Sequence, residues 1–338
     1  MTAPTTSPPP VGPGAHIRVV SPAMASLAQL PGRTRRAMDA AIQAGYRVTF
    51  ATNAFALADD GVTAGLPEER ASDLMEAFDD PTVDVVLAAD AGSATRHLLP
   101  LLDPAVFARR PKPFVGFCDN VFINQFLASR VGLGSLYGAT FLGHFGEGGS
   151  PFPETLAGLG AALDTAAPLA CAPVGRRTGE FLNWHLTDRN ETPRGRWVDG
   201  GCTWLRPGTS SGVLVGGELT LVGPLVETFD LDLTGTVLLW HNAHRSPEPE
   251  RTFADLCTRL DLSRVAGMVI GTHPEIPPAQ WAARCADLLD ELLPGISYPV
   301  VVNADIGHVD PSWVVRYGQR VRLDSGGPLL FMEGNRVE

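Results

Sequence analysis

Three short stretches hold most of the residues able to do chemistry. The first is Asp90-Ala91-Gly92-Ser93-Ala94-Thr95-Arg96-His97, which follows an apolar run and leads into Leu98-Leu99-Pro100. Small residues between a buried strand and a helix allow a sharp turn that lifts one hydroxyl clear. The N–H groups that open the helix can then stabilise an anion. An ordinary loop with Ser93 or Thr95 as helix cap explains the same residues. The second stretch, Trp240-His241-Asn242-Ala243-His244-Arg245, closes another apolar run. Polar residues just past a strand's carboxyl end line the ligand crevice of open α/β sheets. The third, Ala304-Asp305-Ile306-Gly307-His308-Val309-Asp310-Pro311, sets His308 between a glycine and an acidic turn. A histidine there suits a general base, or equally a turn residue bonded to backbone.

The elements that must position these residues alternate. His16–Val20, 46–50, 83–88 and 113–117 are short apolar runs. Between them, 33–44 and 68–78 carry apolar residues at helical spacing, and 105–109 suits a helical turn. Strand and helix in this rhythm imply a parallel sheet wrapped by helices. After residue 179 the pattern resumes, with strands expected at 213–215, 235–240, 265–270 and 298–303 and helices at 253–260 and 279–293. Two closing antiparallel strands fall at 320–324 and 329–331. The Gly/Pro/Ala-rich stretch between the halves reads as a boundary. The expected division is a disordered tail over 1–14, an N-terminal domain over 15–150, a linker over 151–178 and a C-terminal domain over 179–338.

Bulk properties narrow the function. The 338 residues carry a net charge of −11. An acidic chain without a Lys/Arg run has no footprint for nucleic acid. No apolar stretch approaches the roughly 20 residues of a membrane span, and the N-terminus lacks the features of a secretory signal. The five cysteines are odd in number, widely spaced and without a CxxC pair. Reduced thiols in a cytoplasmic protein are therefore expected.

Ordered along the chain, several short runs resemble the LD-carboxypeptidases and the related microcin C self-immunity peptidases. Leu98-Leu99-Pro100-Leu101-Leu102-Asp103 is similar to their LLPYLD. Val115-Gly116-Phe117-Cys118-Asp119 is similar to IGYSD, and Tyr137-Gly138-Ala139 with Phe145-Gly146-Glu147 to YGP and FGE. Val215-Gly216-Gly217-Glu218-Leu219 resembles IGGNL, and 235–240 resembles GKILFLED up to its acidic residues. Gly307-His308 with Asp310-Pro311 resembles their GH(T)DP turn, and Val20-Ser21-Pro22-Ala23 their N-terminal APS turn. The resemblance implies an α/β fold: an N-terminal parallel-sheet (flavodoxin-like) domain plus a C-terminal mixed α/β domain, with the active-site cleft between them. It also implies a Ser–His–Glu triad, no catalytic metal, and a homodimer.

Carried over by position, the family's serine falls on Thr95, its glutamate on His241, the neighbouring aspartate on Asn242 and its histidine on His308. Ala91-Gly92 replaces two glycines. Cys118 stands where the family has serine in a GYSD turn. It reads as a packed thiol, since nothing basic lies beside it in sequence. Loss of the triad acid typically costs on the order of ten-thousandfold in rate. Three readings stay open. One is altered acid/base chemistry on a small peptide-like or carboxylate metabolite, with His241 and His308 as the pair and natural-product biosynthesis as the setting. Another is amide hydrolysis by Thr95, and the third a silent binding cleft. The catalytic set is Thr95, His241 and His308; the substrate set is Gly92, Ser93, Arg96, His97, Trp204, Asn242 and His244. Trp184 and Trp197 are further candidates for the cleft wall. No cofactor or metal is expected, although His97, His241, His244 and His308 are imidazoles able to ligate one. The partner is a small-molecule or peptide-like substrate.

Overall fold

The computed structural model describes residues 4–186, 190–244, 248–327 and 329–334. The first sheet is built from β1 (His16–Val20), β2 (Arg47–Phe50), β3 (Val85–Ala88), β4 (Phe114–Gly116) and β5 (Ser135–Tyr137). These five strands are parallel in the order β5-β4-β3-β1-β2. That is the flavodoxin order, which places a ligand crevice at the strands' carboxyl ends. Val85–Ala88 is buried throughout, as a strand covered on both faces must be. Helices α1 (Ser26–Gln29), α2 (Pro31–Gln43), α3 (Pro67–Asp79), α4 (Pro104–Arg109) and α5 (Val121–Phe126) cover it. Several carry proline in the first turn, where no N–H is needed.

The second half contributes α6 (Pro153–Leu163), then strands β6 (Leu169–Cys171), β7 (Arg176–Thr178), β8 (Trp197–Asp199), β9 (Thr203–Arg206) and β10 (Thr209–Glu218). There follow α7 (Leu219–Phe229), β11 (Val237–His241), α8 (Pro249–Arg259), β12 (Gly267–Gly271), α9 (Pro278–Leu292) and β13 (Val300–Ala304). The chain closes with β14 (Val315–Tyr317), β15 (Arg320–Asp324) and β16 (Leu330–Met332). Its eight-stranded sheet runs β6-β16-β15-β10-β11-β12-β13-β9. The centre, β10 to β13, is parallel, and the flanks are antiparallel. This is the α/β, two-domain architecture expected, with a cleft between the halves.

Three features depart from the sequence-based division. Residues 4–14 are not a free tail. Thr5 N–H donates to the Gly318 carbonyl at 3.0 Å, Gly134 N–H to Thr6 at 2.7 Å, and Val11 N–H to Leu163 at 3.0 Å. The stretch 151–178 is no bare linker but holds α6, β6 and β7. Finally, β14 leaves the C-terminal half and pairs antiparallel with β5, extending the N-terminal sheet. Long-range pairing of this kind leaves no local sequence signal.

Candidate active site

The loops after β3, β4, β11 and β13 meet across the cleft around a cavity of about 460 Å³. The loop after β3 is fixed by one buried carboxylate. Asp119 accepts hydrogen bonds from Gly92 N–H at 2.7 Å, Thr95 N–H at 3.2 Å, the Thr95 hydroxyl at 2.7 Å and the Asn120 amide at 3.0 Å. Thr95 is consequently fully buried, and its hydroxyl is spent on Asp119. It opens a short 3-10 turn, Thr95–Leu101, and does not line the cavity. Ser93, Arg96 and His97 are exposed and lie outside the cavity too. Of the residues expected in this loop, Gly92 reaches the cavity, beside Asp90 and Ala91.

The loop after β4 supplies what the first loop lacks. Phe117 is extended, Cys118 has φ +52°, and α5 begins three residues later. A left-handed conformation costs a non-glycine residue on the order of 1–3 kcal/mol and persists only where the surroundings enforce it. A strand, one strained residue and a helix are the elements of a nucleophile elbow. Cys118 lines the cavity. Its thiol lies well above the usual range, chiefly through burial, then through the charges of Asp119 and Glu218. At neutral pH it is a protonated thiol.

His308 reaches the same cavity from the other domain. Its ring lies 4.9 Å from that of Phe117, the residue before Cys118. Burial holds its pKa well below 6.5, helped by the nearby imidazoles of His241 and His244. His308 Nδ1 has no hydrogen-bond partner among the described residues. Gly307 has φ +115°, and a Cβ there would meet the His241 side chain at 2.8–3.1 Å, so only glycine lets the two histidine loops pack.

His241, the last residue of β11, is fully buried and does not line the cavity. Its Nε2 sits 2.8 Å from the Tyr137 hydroxyl, and its ring stacks on Phe117 at 5.4 Å. Burial depresses its pKa to about 3, so it stays neutral. Asn242 is buried outside the cavity, both amide atoms unpartnered among the described residues. His244 lines the cavity and packs on Phe181 at 5.2 Å; Arg245 lies outside the described residues. Trp204 belongs to β9 at the far edge of the second sheet, where it pairs with Val301, and is not a cavity residue. Trp197 packs edge-on against Phe152. Trp184 does form a wall, held beneath the Arg33 guanidinium at 3.7 Å.

Sequence reasoning missed Cys118, Asp90, Arg194 and His144 as cavity residues. For Cys118 a signal existed, namely a polarizable side chain where the family has serine at a strand's end. For Arg194 none did, because its partners Glu147 and Asp310, each 3.1 Å away, are remote in sequence. Among the described residues no cluster of three or more metal-ligating side chains forms.

Residues 17–138 match the LD-carboxypeptidase N-terminal domain, and residues 211–323 match the LD-carboxypeptidase C-terminal domain. The chain belongs to the LD-carboxypeptidase family. It is 24% identical over 271 residues to the microcin C7 self-immunity protein MccF of Escherichia coli, covering 78% of each chain. It is 25% identical over 284 residues to the murein tetrapeptide carboxypeptidase of Pseudomonas aeruginosa, covering 81% of this chain and 80% of that one. The solved structure of MccF with aspartyl sulfamoyl adenosine superposes with a TM-score of 0.87 at 19% identity, over 98% of this chain and 99% of that one.

Proposed function

We propose that the protein hydrolyses an amide-type bond in a small peptide-like substrate, with Cys118 as nucleophile and His308 as its base. The observation that carries this reading is the strained strand-to-helix turn that presents Cys118 to a cavity shared with His308. Two neutral partners, a thiol and an imidazole, define the resting state. His308 accepts the thiol proton as Sγ bonds to the substrate carbonyl carbon, and the carbonyl π electrons move to oxygen. Collapse of that adduct breaks the C–N bond. His308 returns the proton to the departing amine and leaves a thioester on Cys118. Water, deprotonated by His308, then attacks the thioester. The acid is released, and the thiol regains its proton.

His241 takes no part in proton transfer here, since it lies behind Phe117, outside the cavity. The thiol compensates for the missing acid, being a far better nucleophile than a hydroxyl. The relatives that bind aminoacyl sulfamoyl nucleosides support a substrate with an aminoacyl part. We place the reaction in the handling of a small natural product, and the working unit as a homodimer.

The test is hydrolysis of aminoacyl amides and an L,D-dipeptide by wild type, Cys118→Ala, Cys118→Ser and His308→Ala, with intact-mass detection of an acyl-enzyme. We expect cleavage by wild type, loss of at least about a thousandfold in the Cys118→Ala and His308→Ala variants, and an adduct confined to Cys118. Equal activity of wild type and Cys118→Ala would sink the proposal.

A further inference from the structure

The charged groups around the cavity pair off, with Asp90 left over. Arg194 is held between Glu147 and Asp310, each at 3.1 Å. Arg33 lies 3.8 Å from Glu147, stacks on Trp184 and donates to the Leu142 carbonyl. Asp90 accepts the Ser26 hydroxyl at 2.7 Å and the Ala91 N–H at 2.8 Å. No ion pair reaches it among the described residues, yet it lines the cavity. Burial pushes its pKa up, opposed by the Ser26 and Ala91 hydrogen bonds and the more distant Arg33 charge, so a cation in direct contact would stabilise the carboxylate further.

Its position relative to Cys118 follows from strand register. Leu87 of β3 pairs with Val115 of β4 in a parallel ladder. Three residues on from each come Asp90 and Cys118, so both side chains leave neighbouring strand ends. Adjacent strands run about 4.8 Å apart. The Asn120 side chain, from the turn that begins at Cys118, donates to the Asp90 carbonyl at 3.4 Å and ties the two loops together. A cation at Asp90 therefore sits within a few bond lengths of an acyl carbon at Sγ. An α-ammonium, two bonds from its own carbonyl carbon, meets that spacing, and a distant side-chain amine does not need it.

We infer that the cavity selects acyl donors bearing a free α-ammonium group, paired with the Asp90 carboxylate, so that the bond cleaved follows an unblocked amino-terminal residue. This rests on Cys118 as the nucleophile. The ammonium balances the Asp90 charge, and a blocked amine leaves the carboxylate without a cationic partner.

The test compares p-nitroanilides of alanine, aspartate and lysine, each free and α-N-acetylated, with wild type and Asp90→Asn. Asparagine keeps the shape and removes the charge; its oxygen accepts from Ala91 N–H while its NH2 donates to the Ser26 hydroxyl. Wild type should favour the free amine by about 100-fold in kcat/KM, and in Asp90→Asn that ratio should collapse towards unity. Equal use of both forms by wild type, or an unchanged ratio in Asp90→Asn, overturns the inference. If wild type cleaves neither form, it is the nucleophile assignment that fails. Calorimetric titration of Cys118→Ala with alaninamide and N-acetylalaninamide then decides the inference by itself. Tighter binding of the free amine, lost in Asp90→Asn/Cys118→Ala, sustains it, and equal binding of the two ligands ends it.

Discussion

Cys118 and His308 divide the work of the site by their protonation states. Burial raises the thiol and lowers the imidazole, so at neutral pH the pair is uncharged and the proton moves only as the Sγ–carbon bond forms. A base is inactivated when it is protonated, and His308 is protonated only below its depressed pKa. Activity should therefore survive as pH falls through 6.5, and the acid limb of kcat/KM should lie below the ordinary histidine range. A limb at or above 6.5 would contradict the assignment. His241→Glu gives a second check. A carboxylate beside His308 would stabilise its cationic form and raise its pKa, so the acid limb should move to higher pH; an unmoved limb would mean that the two residues do not communicate.

At the scale of the element, the loop after β3 is a rigid support, not the source of the nucleophile. Asp119 gathers two backbone N–H groups and the Thr95 hydroxyl. Thr95→Val removes one hydrogen bond to a buried carboxylate and should cost about 1–3 kcal/mol of stability, with cleavage retained in the folded protein. Asp119→Ala takes the acceptor from these three donors and one of two acceptors from the Asn120 amide. It should cost about 3 kcal/mol or more and displace Gly92 and Asp90 at the cavity. Thermal unfolding read beside turnover separates the two roles. A Thr95→Val protein that is folded and inactive would restore the hydroxyl as nucleophile.

At the scale of the molecule, the cleft is held by contacts that cross it. Arg194, from the C-terminal half, is buried against Glu147 of the N-terminal domain and Asp310 of the histidine loop. Arg194→Met takes the arginine from Asp310 and leaves Glu147 with Arg33 alone. It should lower stability by about 3–5 kcal/mol, as breaking a buried ion pair does, with the loss visible as a lower unfolding midpoint. Strand β14 adds a second tie, because the chain that leaves the histidine loop at Asp310 runs directly into the N-terminal sheet beside β5. The base is thereby anchored to the domain that carries the thiol.

The sequence by itself determined the alternation of strands and helices, the parallel sheets and the family. Periodicity and apolar runs are local, and buried parallel strands such as Val85–Ala88 write their burial into consecutive residues. It also marked His308 and the β11 loop, because polar residues after an apolar strand stand out. Which side chains face the cavity was decided only in three dimensions. Thr95 and Cys118 both follow strands; the family's serine carried over by position fell on Thr95, and Cys118 read as a packed thiol with nothing basic beside it in sequence. The backbone turned Cys118 into the cleft at φ +52° and spent Thr95 on Asp119, a residue 24 positions away. The fate of residues 4–14, the helix within 151–178 and the Arg194 clamp likewise depend on partners distant in the chain. A hydrogen bond or ion pair across such separations leaves no periodic trace, so only the assembled sheets show who meets whom.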